Sequence, residues 1–164
     1  MGTDLFRWRP LTTALLIGGV LTILVATVVS FILTSFQPRT DLTIGSNTYK
    51  VLLAQDHSSR ERGLSGVVSL KPNEGLLMVY DQNDYHSIWM EGMNIPLDII
   101  WLDESKKVVH IVQDADPKPV KTTIYTPKKP ARYVLELPAG SVRQQAIRLG
   151  QEAKFNPEGS FLWW

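Results

Sequence analysis

Residues 97–113 read LDIIWLDESKKVVHIVQ, and they decide the fold. Leu97 to Leu102 is a short apolar run, Lys107 to Gln113 is a second strand-forming run, and Asp103-Glu104-Ser105-Lys106 between them is polar and turn-forming. That combination predicts a β-hairpin. On its first strand Leu97, Ile99 and Trp101 share one face, and Asp98, Ile100 and Leu102 share the other. A carboxylate among Ile and Leu is unfavourable unless it is paired or hydrogen-bonded, so Asp98 needs a partner.

Working outward, Leu42 and Ile44 alternate with polar residues, Gly45-Ser46-Asn47 breaks the run, and Tyr49, Val51 and Leu53 alternate again. This is a second hairpin, at the start of the domain. Gly75 to Tyr80 is an apolar run suited to a strand covered on both sides. Asp81-Gln82-Asn83-Asp84 reads as a turn, with Tyr85 to Met90 returning as a strand. Ala131, Tyr133, Leu135 and Leu137 alternate as a further strand, while Pro117, Pro119, Pro127 and Pro130 bracket a loop before it. Ser58 and Glu61 have capping-box spacing, which predicts a helix from Ser59 to about Ser65, and Ser141 to Gln144 opens a second helix running to Gly150. The fold class is α+β: a small, mainly antiparallel β domain, an open barrel or curved sheet, with two short helices.

Ahead of this domain, Leu11 to Phe36 is a run of 26 residues without a charged side chain. Fifteen are Leu, Ile, Val or Phe, and eleven are Ala, Gly, Ser or Thr. As a helix it is roughly 39 Å long against a hydrocarbon core of about 30 Å, so it spans a bilayer with tilt. A cleaved signal peptide has an apolar region of about 7–15 residues. The run is nearly twice that length and favours an uncleaved signal anchor, although Val28-Val29-Ser30 offers a cleavage-like exit. Arg7 and Arg9 precede it, and Arg39 behind it is balanced by Asp41, which keeps the amino end in the cytoplasm. The expected organisation is a cytoplasmic segment over 1–10, a transmembrane helix over 11–36, a linker over 37–40, an extracytoplasmic β-rich domain over 41–155 and an aromatic tail over 156–164. Ala14, Gly18, Thr22, Ala26, Ser30 and Thr34 form a small-residue ridge, a candidate face for homo-oligomerisation in the membrane.

Charge and cysteine usage narrow the function. From residue 40 onward fourteen basic groups face fifteen acidic ones, a neutral balance that argues against nucleic-acid binding. The chain has no cysteine, which excludes disulfide scaffolds, zinc ribbons, thiol nucleophiles and iron–sulfur ligation. His57, His86 and His110 lack metal-site spacing, so neither a metal nor a cofactor is assigned.

Several separated blocks then share one pattern: Arg62-Gly63-Leu64, EGLLMVY (74–80), IWMEGMNIPLDIIWLD (88–103) and ARYVLELPAGS (131–141). In this order they resemble a widespread prokaryotic family, domain of unknown function 192, over about residues 48–155. The resemblance implies one small β-rich domain, often exported or membrane-tethered, with no assigned reaction or cofactor. The family pattern falls on Arg62, Gly63, Leu64, Gly75, Trp89, Met90, Pro96, Leu97, Asp98, Tyr133, Leu135, Glu136 and Gly140. Ser65 stands where the family usually has Met, and Thr122 to Tyr125 stands where many members carry a Cys.

The candidate functional cluster is Arg62, Trp89, Met90, Asp98, Arg132 and Glu136. Asp98 has Arg62 and Arg132 as plausible counter-ions, or caps N–H groups in the Met93-Asn94-Ile95 turn; functionally it reads as a general acid/base or a ligand anchor. Glu136 falls on the polar face of its strand with Arg132. There it caps the following helix or forms a glycosidase-like pair with Asp98, which needs a separation of about 5–9.5 Å. Trp89, Met90, Met93 and Trp101 crowd one connection, as core or as the lining of a shallow apolar pocket. Lys118, Lys121, Lys128, Lys129 and Arg132 form a basic run, read as solvated surface or as a contact for anionic headgroups or an acidic envelope polymer. Phe161-Leu162-Trp163-Trp164 should dock on its own domain, a membrane interface or a partner.

The function expected is a membrane-anchored extracytoplasmic module of the cell envelope that binds or assists without catalysis. The alternatives are a small hydrolase- or lyase-like enzyme using Asp98 with Arg62 and Glu136, and a subunit of a membrane protein complex. Expected partners are the lipid bilayer through residues 11–36 and an envelope polymer or membrane protein, in the cytoplasmic membrane with a single pass.

Overall fold

The computed structural model describes residues 17, 19–27, 38–118 and 123–159, and the chain divides into two units, 1–37 and 38–164. In the first unit residue 17 and residues 19–27 (α1) are helical, and Ile17, Val20, Leu21, Ile23, Leu24 and Val25 are all exposed. Thr27 Oγ1 donates to the Leu24 carbonyl at 2.8 Å, which accommodates a hydroxyl within an apolar helix. Among the described residues no helix is long and apolar enough to cross a membrane. The remainder of the expected span, the cytoplasmic segment, most of the small-residue ridge, Lys121 and the 161–164 aromatics lie outside the described residues.

The second unit is a curved, mostly antiparallel half-barrel. Its strands are β1 (Arg39–Ile44), β2 (Asn47–Ala54), β3 (Glu74–Asp84), β4 (Ile88–Trp89), β5 (Leu97–Leu102), β6 (Val108–Ala115), β7 (Ile124–Tyr125), β8 (Ala131–Pro138) and β9 (Ala153–Lys154). Two short helices, α2 (His57–Arg62) and α3 (Ser141–Gln144), join them. Seven strands form one sheet in the order β6-β5-β8-β3-β2-β1-β9, and β4 and β7 form a separate ribbon. Both expected hairpins are present as β1–β2 and β5–β6. The β2–β3 pair is parallel, which requires a crossover connection, and α2 lies in it.

Both faces of the sheet are covered. Leu42, Val51, Leu53, Ile100, Leu102, Leu135 and Leu137 build one core with Val142 and Phe155. Leu64, Leu76, Met78, Ile88, Met90, Met93, Ile99, Trp101 and Val134 build the other. β5 lies between them, so all six of its residues are buried and its alternation divides cleanly between the two cores. Trp101 Nε1 donates to the His86 carbonyl at 2.8 Å, which satisfies the indole's one donor.

Four local expectations are corrected. α2 begins two residues before Ser59, with Asp56 as its cap: the carboxylate accepts from Ser59 N–H at 2.9 Å, and Ser59 Oγ accepts from Asp56 N–H at 3.2 Å. Residues 81–84 continue β3 past a register shift instead of turning, and the return strand shrinks to β4, which pairs with β7. The 141–150 helix stops after Gln144, and Ala146 follows at φ +50°. No side chain of its own caps α3; Ser141 Oγ donates to the Pro138 carbonyl at 2.6 Å.

The cap of α3 comes from β5. Asp98, fully buried, accepts from Val142 N–H at 2.7 Å and from Asp114 N–H at 2.9 Å. It thus ties the first turn of α3 to β6 where Asp114 adopts φ +54°, and Asp114 forms an ion pair with Arg143 of α3. Asp98→Ala leaves two inward N–H groups unpaired and should lower stability by about 3 kcal/mol, read as a fall in the urea midpoint of the detergent-solubilised chain.

Candidate functional site

β8 runs through the middle of the sheet. Tyr133, Leu135 and Leu137 point into one core, and Val134 points into the other. Glu136 has the parity of Val134 and sits opposite Ile99 of β5. The face expected to be polar is therefore the second core, and Glu136 is fully buried in it. Neither Oε1 nor Oε2 has a hydrogen-bond partner among the described residues. Desolvation penalises the charged form and pushes the carboxyl up to about 8, so it is a neutral acid at pH 7.

Glu136 forms part of the wall of a cleft of about 290 Å³. One side comes from α2 and the residue after it: His57, Arg60, Glu61 and Gly63. β3 supplies Met78 and Tyr80, and the segment around β4 supplies Ser87, Ile88, Trp89 and Met93. Gly63 has φ +50°, a backbone region that favours glycine. A Cβ there would stand 3.7 Å from Glu136 Oε2 and 3.3 and 3.4 Å from the Met93 and Met78 methyls. Glycine thus keeps the space over the acid and the two thioethers clear.

Tyr80 is held from several directions. His86 stacks on its ring with centroids 3.5 Å apart, and the Arg60 guanidinium lies 4.9 Å from the ring centroid. Its hydroxyl donates to Met78 Sδ at 3.6 Å. Burial raises the phenol's pKa and Glu136 adds to the rise, while Arg60 opposes it. Arg60 is itself fixed by donating to the carbonyls of Val79, at 2.9 Å, and Gln55.

The six sequence candidates separate. Glu136 and Trp89 line the cleft, Trp89 remaining 43% exposed at its edge. Met90 is buried in the second core beside it. Arg132 donates from Nε to the Tyr80 carbonyl at 3.2 Å and so braces the lining strand. Arg62 is exposed and makes no ion pair among the described residues. Asp98 faces the first core, opposite Leu137, so the two carboxylates lie on opposite faces of one sheet and cannot flank a common bond. Arg60, Tyr80 and Met78 belong to the site and were not among the candidates; the adjacency of the Arg60 turn to Arg62-Gly63-Leu64 and of Met78 to Tyr80 within EGLLMVY is the signal that points to them.

The second unit is thus a small, curved β half-barrel with a buried acid, unpartnered among the described residues, in the wall of a cleft. The chain belongs to the DUF192 family, described as an uncharacterized ACR, whose model matches residues 40–155. It is 34% identical over 109 residues to the UPF0127 protein TK1120 of Thermococcus kodakarensis, covering 66% of each chain. A UPF0127 protein of Thermococcus gammatolerans is 38% identical over 103 residues, 61% of this chain and 62% of that one. The chain thus spans slightly under two thirds of the length of these relatives. Among solved structures, a Sinorhizobium meliloti protein named as a candidate transcription regulator superposes with a TM-score of 0.66 at 28% identity, over 73% of this chain and 94% of that one. A protein of unknown function from Novosphingobium aromaticivorans gives 0.64 at 25% identity, over 71% and 83%.

Because the Glu136 acid is raised from 4.5 to about 8, the folded state holds a proton that the unfolded state releases between those values. Its contribution to stability is whole below about pH 4.5, falls as pH rises and levels off above about pH 8. The stability difference between wild type and Glu136→Gln should therefore shift against wild type by roughly 5 kcal/mol across that window, measured by urea titration at several pH values. A difference flat in pH would mean that the carboxyl is solvated.

Proposed function

We propose that this protein is a membrane-anchored extracytoplasmic module that binds a small ligand, without catalysis, in the cleft beside Glu136. One observation carries the binding reading: a fully buried carboxyl with both oxygens unpartnered among the described residues forms part of the wall of a cleft. An unpaired buried polar group is unfavourable, and a protein that retains one in a cavity wall gains a partner when a ligand arrives. Binding is favoured over turnover because Asp98, the other carboxylate offered for chemistry, is occupied by two backbone N–H groups on the far face.

Anchoring is supported by the 26-residue uncharged run, by Arg7 and Arg9 before it, and by the exposed apolar side chains of α1. The name of the S. meliloti relative raises a nucleic-acid role. The balance of fourteen basic against fifteen acidic residues from 40 to 164 disfavours it, since phosphate neutralisation dominates such binding.

Three measurements test this reading. In intact cells an impermeant amine reagent should label the exposed Lys128 and Lys129, and the full-length chain should leave the membrane fraction only with detergent; recovery in the aqueous fraction at full mass would overturn the anchor. In a thermal-shift screen of the solubilised chain, fragments that stabilise wild type should lose that effect in Glu136→Leu, whose own melting temperature should rise. Equal shifts in both proteins would remove the cleft as the site.

A further inference from the structure

Resting on that reading of the cleft, we infer that the Glu136 site selects an uncharged planar group presenting N–H and C=O on one edge, as a primary carboxamide or a lactam does. A neutral carboxylic acid carries one O–H donor and one C=O acceptor side by side. In Glu136 both are free and fully desolvated. A group that accepts from the O–H while donating to the C=O satisfies both at once, and an amide edge has that arrangement.

Charged ligands fit less well. A cation requires Glu136 to ionise where no donor supports it, and the Arg60 guanidinium shares the cleft. Of the two aromatic rings lining the cleft, Tyr80 is already taken up by Arg60 at 4.9 Å and His86 at 3.5 Å, and Trp89 stands at the edge, 43% exposed. At Glu136 an anion would find a single O–H donor and no use for the neighbouring C=O acceptor, and the Arg60 Nη1 in the lining is engaged by the Val79 and Gln55 carbonyls. The remaining titratable lining groups are His57 and Glu61, both exposed on α2 and paired with each other at 3.7 Å.

The walls suit a flat neutral group. Thioethers are polarisable and adapt to ring faces, and the methyls of Met78 and Met93 converge beneath Gly63. Trp89 adds an indole at the edge. A volume of about 290 Å³ is at the small end of ligand sites, which limits the occupant to a small molecule or a single side chain.

The test uses the full chain in detergent with its Glu carboxyls carbon-13 labelled, and follows the Glu136 resonance, assigned from Glu136→Gln. The probes are isobutyramide and 2-pyrrolidinone, the charged isosteres isobutyrate and isobutylammonium, and a capped tripeptide centred on Gln. Both small amides should move the resonance and both charged probes should not, and amide affinity should fall about tenfold per pH unit above about pH 8 as the donor is lost. Affinity is compared across variants by amide-probe line broadening. Glu136→Gln, which keeps a donor and an acceptor on one edge, should bind amides within about threefold of wild type and lose the pH dependence; Glu136→Leu should bind at least about tenfold more weakly. A response to the tripeptide alone would assign a side-chain carboxamide on a polymer as the source, and a response to the small amides assigns a free ligand. Glu136-dependent binding of isobutylammonium that strengthens with pH, or of isobutyrate, would overturn the amide assignment and leave the binding site standing. No Glu136-dependent response to any probe would overturn both.

Discussion

The constraint on which the rest depends is the burial of one carboxyl, Glu136, with no hydrogen-bond partner among the described residues. A sheet with a single core would have left the alternate positions of β8 in water, where a Glu needs no explanation. Here both faces are covered, and the second layer is assembled from α2, Gly63, Leu64 and the 88–93 segment. That layer removes water from the acid without supplying a substitute for it. The protein therefore carries a desolvated acid in the wall of the cleft, and the neighbouring side chains give that wall its character: two thioethers, an indole and a phenol held by Arg60 and His86.

The other buried carboxylate shows what full satisfaction looks like. Asp98 has no less burial than Glu136, yet two backbone N–H groups converge on it and make it a joint between β5, β6 and α3. The contrast separates framework from site. Asp98 works by geometry within the first core; Glu136 stands in the second with its valence for hydrogen bonds unspent. Residue type alone does not distinguish them, and neither does the strand pattern.

That difference marks the boundary of what was legible in the sequence. The β1–β2 and β5–β6 hairpins and β8 were readable because alternation and turn chemistry are local, and the separation of Leu97, Ile99 and Trp101 from Asp98, Ile100 and Leu102 follows from strand geometry alone. The parallel β2–β3 pair was not, since nothing local distinguishes a crossover from a hairpin partner. Ser58 and Asp56 both have the chemistry to cap α2, and only the reciprocal Ser59 bonds select Asp56. At α3 the cap arrives from a residue 44 positions away, beyond the reach of any local motif. Glu136 and Arg132 fall on one face by alternation, but whether that face meets solvent depends on residues 57–64 and 88–93, which tertiary structure brings over it.

The β2–α2–β3 crossover has a consequence for the life of the chain. The walls of the cleft come from residues near 60, 80, 90 and 136, and none of these groups is a neighbour of the others until the central strands have paired. A polypeptide emerging amino end first therefore has no complete cleft until its last third has joined the sheet, because long-range strand pairing precedes any enclosure of the acid. The cleft is a property of the finished tertiary structure, and an interrupted or clipped chain that lacks β8 would present its rim without Glu136.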